Sequence, residues 1–186
     1  MTLQPKAAFA SLSAQAAQGR WLLVRRPAFV ALVLGCTISL LTAHSLTLRL
    51  VASGALTWSF VPLLEMAGLA VVWRLGSRPL SVPRAVDLFF TGHGLWSLWL
   101  IALAAYWSSV PAPPLTYRRF AIWAAAAGAV LLWSAYVDFC FHRSVLRSSP
   151  ARSVCHILLQ RALCWIPGIL VFGYGSLWAD LVRLWK

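Results

Sequence analysis

The stretch Asp87-Leu-Phe-Phe-Thr-Gly-His-Gly-Leu-Trp-Ser-Leu-Trp-Leu-Ile-Ala-Leu-Ala-Ala-Tyr-Trp107 decides the fold of this chain. It contains one acidic residue and no lysine or arginine. At 1.5 Å per helical residue it extends about 30 Å, the thickness of the hydrocarbon layer of a bilayer. The stretch therefore predicts a transmembrane helix, with a Gly-His-Gly step near its start.

Two further apolar runs precede this stretch and two follow it, so the sequence predicts an all-α, polytopic membrane helical bundle with five transmembrane helices. Residues 1–26 are interpreted as a cytoplasmic N-terminal segment, with an interfacial helix starting at Pro5 as one option. Residues 27–186 form the membrane domain. Residues 153–164 could insert or lie along the surface, and the sequence leaves this open. The predicted spans are 27–48, 50–73, 85–107, 120–141 and 153–184.

The composition excludes a water-soluble fold. Of the 186 residues, 61% are hydrophobic and only 11% are charged, whereas a soluble domain is about a quarter charged. The net charge of +12 comes from basic residues in short clusters between apolar runs, which is how membrane topology is encoded rather than how nucleic acid is bound. The four cysteines form no Cys-x-x-Cys pair, which argues against a zinc ribbon or a thiol-redox site.

The basic residues predict the orientation of the chain. Ten lie in the N-terminal tail, the second loop and the fourth loop, and five lie on the opposite side, which favours a cytosolic N-terminus. The ten are Lys6, Arg20, Arg25, Arg26, Arg74, Arg78, Arg84, Arg143, Arg147 and Arg152, and the five are Arg49, Arg118, Arg119, Arg183 and Lys186. The composition is also typical of a bacterial inner membrane protein.

Small residues predict where helices approach each other closely. Ala31, Gly35 and Ser39 recur every fourth residue in span one. The glycines of Gly92-His-Gly94 and Gly173-Tyr-Gly175 are interpreted as further packing points. Span four has the smallest face and is expected to pack centrally. Its small residues are Ala121, Ala124, Ala125, Gly128 and Ala129.

Prolines predict two interruptions. Pro62 in span two removes a backbone donor and is expected to kink that helix. Span five is expected to break at residues 165–168, where Pro167 is followed by Gly168.

Three segments resemble the Yip family of five-span membrane proteins. They are Ala67-Gly-Leu-Ala-Val-Val-Trp-Arg74, Arg84-Ala-Val-Asp-Leu-Phe-Phe-Thr-Gly-His-Gly-Leu-Trp96 and Gly168-Ile-Leu-Val-Phe-Gly-Tyr-Gly175. The resemblance covers roughly residues 27–180, and it departs from the family where Leu95, not proline, follows Gly94. It implies a non-enzymatic membrane protein that acts through partner proteins or lipid organisation, without catalytic residues.

Ionisable groups inside the spans are the main clue to a site, because they are costly in lipid and need partners. Glu65 lies nine residues before Arg74, His93 nine after Arg84, and Arg161 nine after Arg152. All three would lie about 13 Å below the inner surface. We hypothesise that Glu65 pairs with His93 or Arg161. This polar layer would act as a structural lock or as the centre of a solute path.

Two other acidic residues are predicted at shallower positions. Asp87 would occupy the favourable first turn of its helix, and Asp138 would pair with Arg143 or His142. Both are expected to be solvated boundary residues rather than ligands.

No motif in the sequence indicates catalysis, a metal or a cofactor. No His-Glu-x-x-His, Gly-x-Ser-x-Gly or paired-acid pattern occurs. Only His93 lies well inside a span, so a haem held by two histidines at one depth is disfavoured. The leading interpretation is a structural or accessory membrane protein that assembles with itself, with other membrane subunits and with lipid. The alternative is a small transporter or ion-pathway subunit that uses the Glu65, His93 and Arg161 layer.

Overall fold

The computed structural model describes residues 4–14, 19–76, 80–109 and 117–184, with the backbone alone at 119–120 and 171–184. These residues are almost entirely α-helical and include no β-strand, which confirms the predicted fold class of a helical bundle. The helices are α1 Pro5–Ala14, α2 Arg25–Ala43, α3 Leu48–Trp58, α4 Phe60–Leu75, α5 Val82–Thr91, α6 Gly94–Ser109, α7 Tyr117–Ser144 and α8 Pro150–Leu184, with a 3-10 turn at Arg20–Leu23.

Four helical stretches are long and apolar enough to cross a membrane. They are Arg20–Ala43, Leu48–Leu75, Ala121–Ser144 and Pro150–Leu170. The pair α5 and α6 adds a fifth if it is one span bent by 46°. The described chain is therefore a bundle with four or five candidate spans.

The close helix contact predicted for the small-residue edge of span one is confirmed at Gly35, where α2 meets α3. A Cβ atom built at Gly35 would lie 2.3 Å from the carbonyl oxygen of Val51 and 2.8 Å from the nitrogen of Ala55. Gly54 of α3 faces Gly35 in return, with a built Cβ 3.1 Å from the Gly35 Cα. Only glycine fits at this crossing, which fixes the second span against the first.

Span two is interrupted three residues before Pro62, where α3 ends and α4 begins. Pro62 has no N–H to donate to the carbonyl four residues earlier, so the helix cannot continue regularly through Trp58. The Ser59 N–H and Ser59 Oγ both donate to the Leu56 carbonyl and close the end of α3. The predicted irregularity at Pro62 is therefore confirmed.

Span three is bent at the Gly-His-Gly step that separates α5 from α6. Gly92 is needed there, because its built Cβ would lie 2.9 Å from Cγ1 of Val137 on α7. Among the described atoms nothing lies within 4 Å of a Cβ built at Gly94, so the predicted packing role of Gly94 is wrong. Gly173 and Gly175 lie in the part of α8 that is described by its backbone alone, so their predicted packing role lies outside the described residues.

The expectation that span four packs centrally through its small face is wrong. Ala121, Ala124, Ala125 and Ala129 are all exposed on the outside of the bundle, and a Cβ at Gly128 would meet no described atom within 4 Å. The buried part of α7 is its C-terminal end, from Val137 to His142. Larger apolar side chains there fill the space between helices, and burying them removes more apolar surface than alanines can.

The predicted break of span five at residues 165–168 is also wrong, because α8 runs without interruption from Pro150 to Leu184 with Pro167 inside it. Residues 153–164 belong to this continuous helix, which packs against α4 and α7. A proline within a membrane helix is tolerated where neighbouring groups compensate the lost hydrogen bond.

The packed core lies at one end of the bundle. Phe9 of α1 is fully buried, and its ring centroid lies 5.6 Å from that of Phe141, which in turn lies 5.5 Å from Phe89. Residues from α2, α4, α5 and α7 complete this core. The predicted N-terminal helix thus starts at Pro5 and packs onto the C-terminal end of α7.

Candidate functional site

Glu65 and His93 form an ion pair in the interior of the bundle. His93 Nε2 lies 3.0 Å from Glu65 Oε2, and both side chains are largely buried. Glu65 is carried by α4, and His93 lies at the bend between α5 and α6. The imidazole is held in place by Phe90, whose ring stacks on it at 4.9 Å, and by Phe89, which meets it edge-on at 5.0 Å. The pair therefore connects spans two and three at the point where span three bends.

Asp138 and Arg161 form a second pair, between α7 and α8. Arg161 Nη2 donates to Asp138 Oδ2 and also to Ser134 Oγ at 3.2 Å. The sequence predicted Arg143 or His142 as the partner of Asp138, and this prediction is wrong. Arg143 instead donates to the Ser148 carbonyl at 2.7 Å, and the buried His142 ring lies 5.8 Å from that of His156.

The structure thus brings Glu65 and His93 together and gives Arg161 a different acidic partner. Arg161 is close enough to act on Glu65 through its charge, but its hydrogen bonds go to α7. Sequence reasoning named Asp138 but treated it as a solvated boundary residue, whereas it is buried and paired with Arg161. It lies nine residues before Arg147, the same spacing that singled out the other three, so the signal was present in the sequence.

Asp87 is not a solvated boundary residue. Its carboxylate is fully buried in the middle of α5 and is surrounded by three arginines. Arg25 binds it through two nitrogens at 2.7 and 2.9 Å, Arg26 Nε lies 2.8 Å away, and Arg84 Nη1 lies 3.2 Å away. The prediction was wrong because α1 and the 3-10 turn pack against α5, and the Asp87 carboxylate is fully buried there.

Each member of the Glu65–His93 pair lies in the wall of a cavity. One of about 200 Å³ opens between α4 and α8, with Glu65 in its wall beside Phe60, Cys164 and Trp165. The other, of about 280 Å³, lies between α2, α5 and α6, with His93 in its wall. Chemically, the pair could exchange a proton between its carboxylate and imidazole.

The described residues contain no group of three or more His, Cys, Asp or Glu side chains placed to hold a metal ion. Among the same residues all four cysteines are free thiols, and Cys140 alone is fully buried. Among the described acids, Glu65 pairs with His93, and Asp87 and Asp138 pair with arginines.

No family model, curated protein or solved structure matches this chain. The resemblance to the Yip family consequently rests on the three segments quoted above and stays a prediction.

Proposed function

We propose that this chain is a non-enzymatic, Yip-like integral membrane protein that serves as a structural or accessory subunit of a membrane complex. In this proposal it has five spans, a cytosolic N-terminus and a place in a bacterial inner membrane, and it associates with itself or with other membrane subunits as well as with lipid.

Five spans are supported by the grouping of the basic residues. Arg25 and Arg84 both bind Asp87, so the start of span one and the start of span three lie at the same end. Helix α1 packs against the C-terminal end of α7, which brings the fourth loop to that end as well. If α5 and α6 form one span, a chain that crosses the membrane five times in alternating directions places all three segments at the same end. That end also holds more of the basic residues, which favours the cytosolic side.

The outward small face of α7 is the observation that carries the proposed role. Small residues on a membrane helix allow another helix to approach closely, and within this chain no described helix uses that face. The interior acids Glu65 and Asp138 are both paired with basic side chains across helices, which stabilises the bundle as a scaffold. In this proposal a helix of a partner subunit packs against the small face of α7.

The Ala125→Trp variant is expected to dissociate the assembly that the wild-type protein forms in mild detergent. The indole would hold a neighbouring helix away from the small face of α7. The measurement is the particle mass of protein purified from native membranes, determined by light scattering. The matched control is Leu158→Trp on α8, where Leu158 is 64% exposed and lies off this face. A wild-type protein of monomer mass, or equal effects of the two variants, would contradict the proposal.

A second candidate function is a subunit of a proton or ion path. It is favoured by two cavities, one with Glu65 in its wall and one with His93 in its wall, because both members of the titratable pair border a cavity. Ionisable side chains inside a membrane bundle commonly mark ion or proton paths.

Water access distinguishes the two candidates. In a protein with its four native cysteines replaced, we expect Glu65→Cys to react with a charged thiol reagent no faster than Leu69→Cys, the buried control one turn further along α4. This follows because the interior pair acts as a lock in the leading proposal. Labelling of Glu65→Cys at least about tenfold faster than the control, with folding intact, would instead support the path.

A further inference from the structure

The Asp87 cluster, formed by Asp87, Arg25, Arg26 and Arg84, is strongly basic. Three guanidinium groups surround one carboxylate, which leaves an excess of two positive charges. Arg84 is largely buried, but the side chains of Arg25 and Arg26 are 38% and 32% exposed. The excess charge therefore lies where a second anion can reach it.

The two exposed arginines keep unused hydrogen-bond donors. Arg25 binds Asp87 through Nε and Nη2, whereas Arg26 uses Nε for Asp87 and Nη1 for Thr91 Oγ1. No partner within the described part of the chain occupies Nη1 of Arg25 or Nη2 of Arg26. Both residues lie at the N-terminus of α2, which has no side-chain cap and whose helix dipole favours an anion.

An apolar groove leads away from this cluster. It is the cavity of about 280 Å³ noted above, which begins at Arg26 and Thr91 and continues along Phe29, Val30 and Phe90 into the depth of the spans. Phe29 is 56% exposed on the outside of the bundle. The groove ends near Gly94 and Ser97, at the start of α6.

We propose that this is a binding site for an anionic phospholipid. The phosphate accepts hydrogen bonds from the free guanidinium nitrogens of Arg25 and Arg26, and one acyl chain lies in the groove along Phe29, Val30 and Phe90. Arginine is suited to phosphate because its planar donors bind two oxygens at once. The location at the basic end of the spans is where anionic headgroups meet a helix bundle.

The proposal commits to a lipid rather than a free anion because charge and apolar groove are continuous through Arg26. A soluble phosphate would use the arginines alone, whereas a phospholipid uses both parts of the site. The lipid site does not depend on the proposed accessory role, because a subunit of a proton or ion path would present the same Asp87 cluster to the membrane.

The test is native mass spectrometry of the full-length protein in detergent, titrated with phosphatidylglycerol, with phosphatidylcholine or with inorganic phosphate. We expect wild-type protein to bind one phosphatidylglycerol more tightly than phosphatidylcholine. Arg25→Gln and Arg26→Gln should each weaken phosphatidylglycerol binding about fivefold, the value of one surface charge. Arg49→Gln removes the same charge at the start of α3, away from the Asp87 cluster, and should leave binding unchanged.

A second variant tests the groove without touching the arginines. Gly94→Leu would place a side chain into the open space beside Gly94, so it should lower phosphatidylglycerol binding while the protein stays folded. Equal binding of the two lipids by wild type would overturn the proposal. So would binding of inorganic phosphate with the affinity of phosphatidylglycerol, or an Arg49→Gln effect as large as that of Arg26→Gln.

Discussion

Replacement of Asp87 by asparagine is expected to lower the free energy of unfolding by about 3–5 kcal/mol, the range measured when one partner of a buried ion pair is removed. The carboxylate is fully buried and is the common partner of Arg25, Arg26 and Arg84. Without its charge, three guanidinium groups repel each other, and Arg84 has little access to solvent. The asparagine side chain has nearly the same volume, so the loss would report charge rather than packing.

The measurement is reversible unfolding in mixed micelles, followed by the helical circular dichroism signal. Thr91→Ala serves as the control, because it removes the hydroxyl that accepts from Arg26 and donates to the Asp87 backbone carbonyl, and it leaves all charges in place. We expect that control to lose about 1 kcal/mol. A loss below about 1 kcal/mol for Asp87→Asn would mean that the arginines do not need this carboxylate. If the lipid site exists, phosphatidylglycerol should stabilise Asp87→Asn more than wild type, because its phosphate supplies the missing anion.

Replacement of Asp138 by asparagine is expected to cost about 2.5–3.5 kcal/mol, the cost of an unpaired arginine in the middle of a membrane helix. Arginine cannot lose its proton, so Arg161 would stay charged without its acidic partner. The opposite change, Arg161→Gln, should cost less, because a carboxylic acid can bind a proton and become neutral. The two variants of one pair therefore have unequal effects.

The double variant Asp138→Leu with Arg161→Met completes this experiment. It removes both charges and keeps apolar volume between α7 and α8, so most of the loss should be recovered. Ser134→Ala is the matched control, since it removes only the hydrogen bond at 3.2 Å, a contact worth about 0.6 kcal/mol in membranes. If the double variant unfolded as easily as Asp138→Asn, the two residues would not act as a pair.

The Glu65–His93 pair could be predicted from the sequence, but the pairing of Asp138 with Arg161 could not. Counting residues from the boundary arginines placed Glu65, His93 and Arg161 at one depth, and the structure brings Glu65 and His93 within 3.0 Å. Arg161 went to Asp138 instead, because α8 lies against α7 as well as α4. The position of a residue along its helix axis follows from its residue number, because each residue adds a rise of about 1.5 Å. Which helix lies beside it is decided by tertiary packing.

The burial of Asp87 was unpredictable for a different reason. Nothing in its local sequence distinguishes an acid in the first turns of an exposed helix from one in a closed site. Two of its three partners are Arg25 and Arg26, which lie more than sixty positions earlier in the chain. Long-range contacts of this kind arise only when the N-terminal helix and turn close over the end of the bundle.

By itself, the sequence determined the class of protein: apolar runs of bilayer length between basic clusters make a helical membrane bundle, because backbone polar groups in lipid must be satisfied within helices. It also determined the close contact at Gly35 and the break before Pro62, since both follow from local sterics. Only the tertiary structure decided which faces turn inward. The small face of α7 lies outside, the helix continues through Pro167, and Asp87 and Asp138 find arginines on other elements. Each of these depends on how whole helices fit together, and no single helix carries that information.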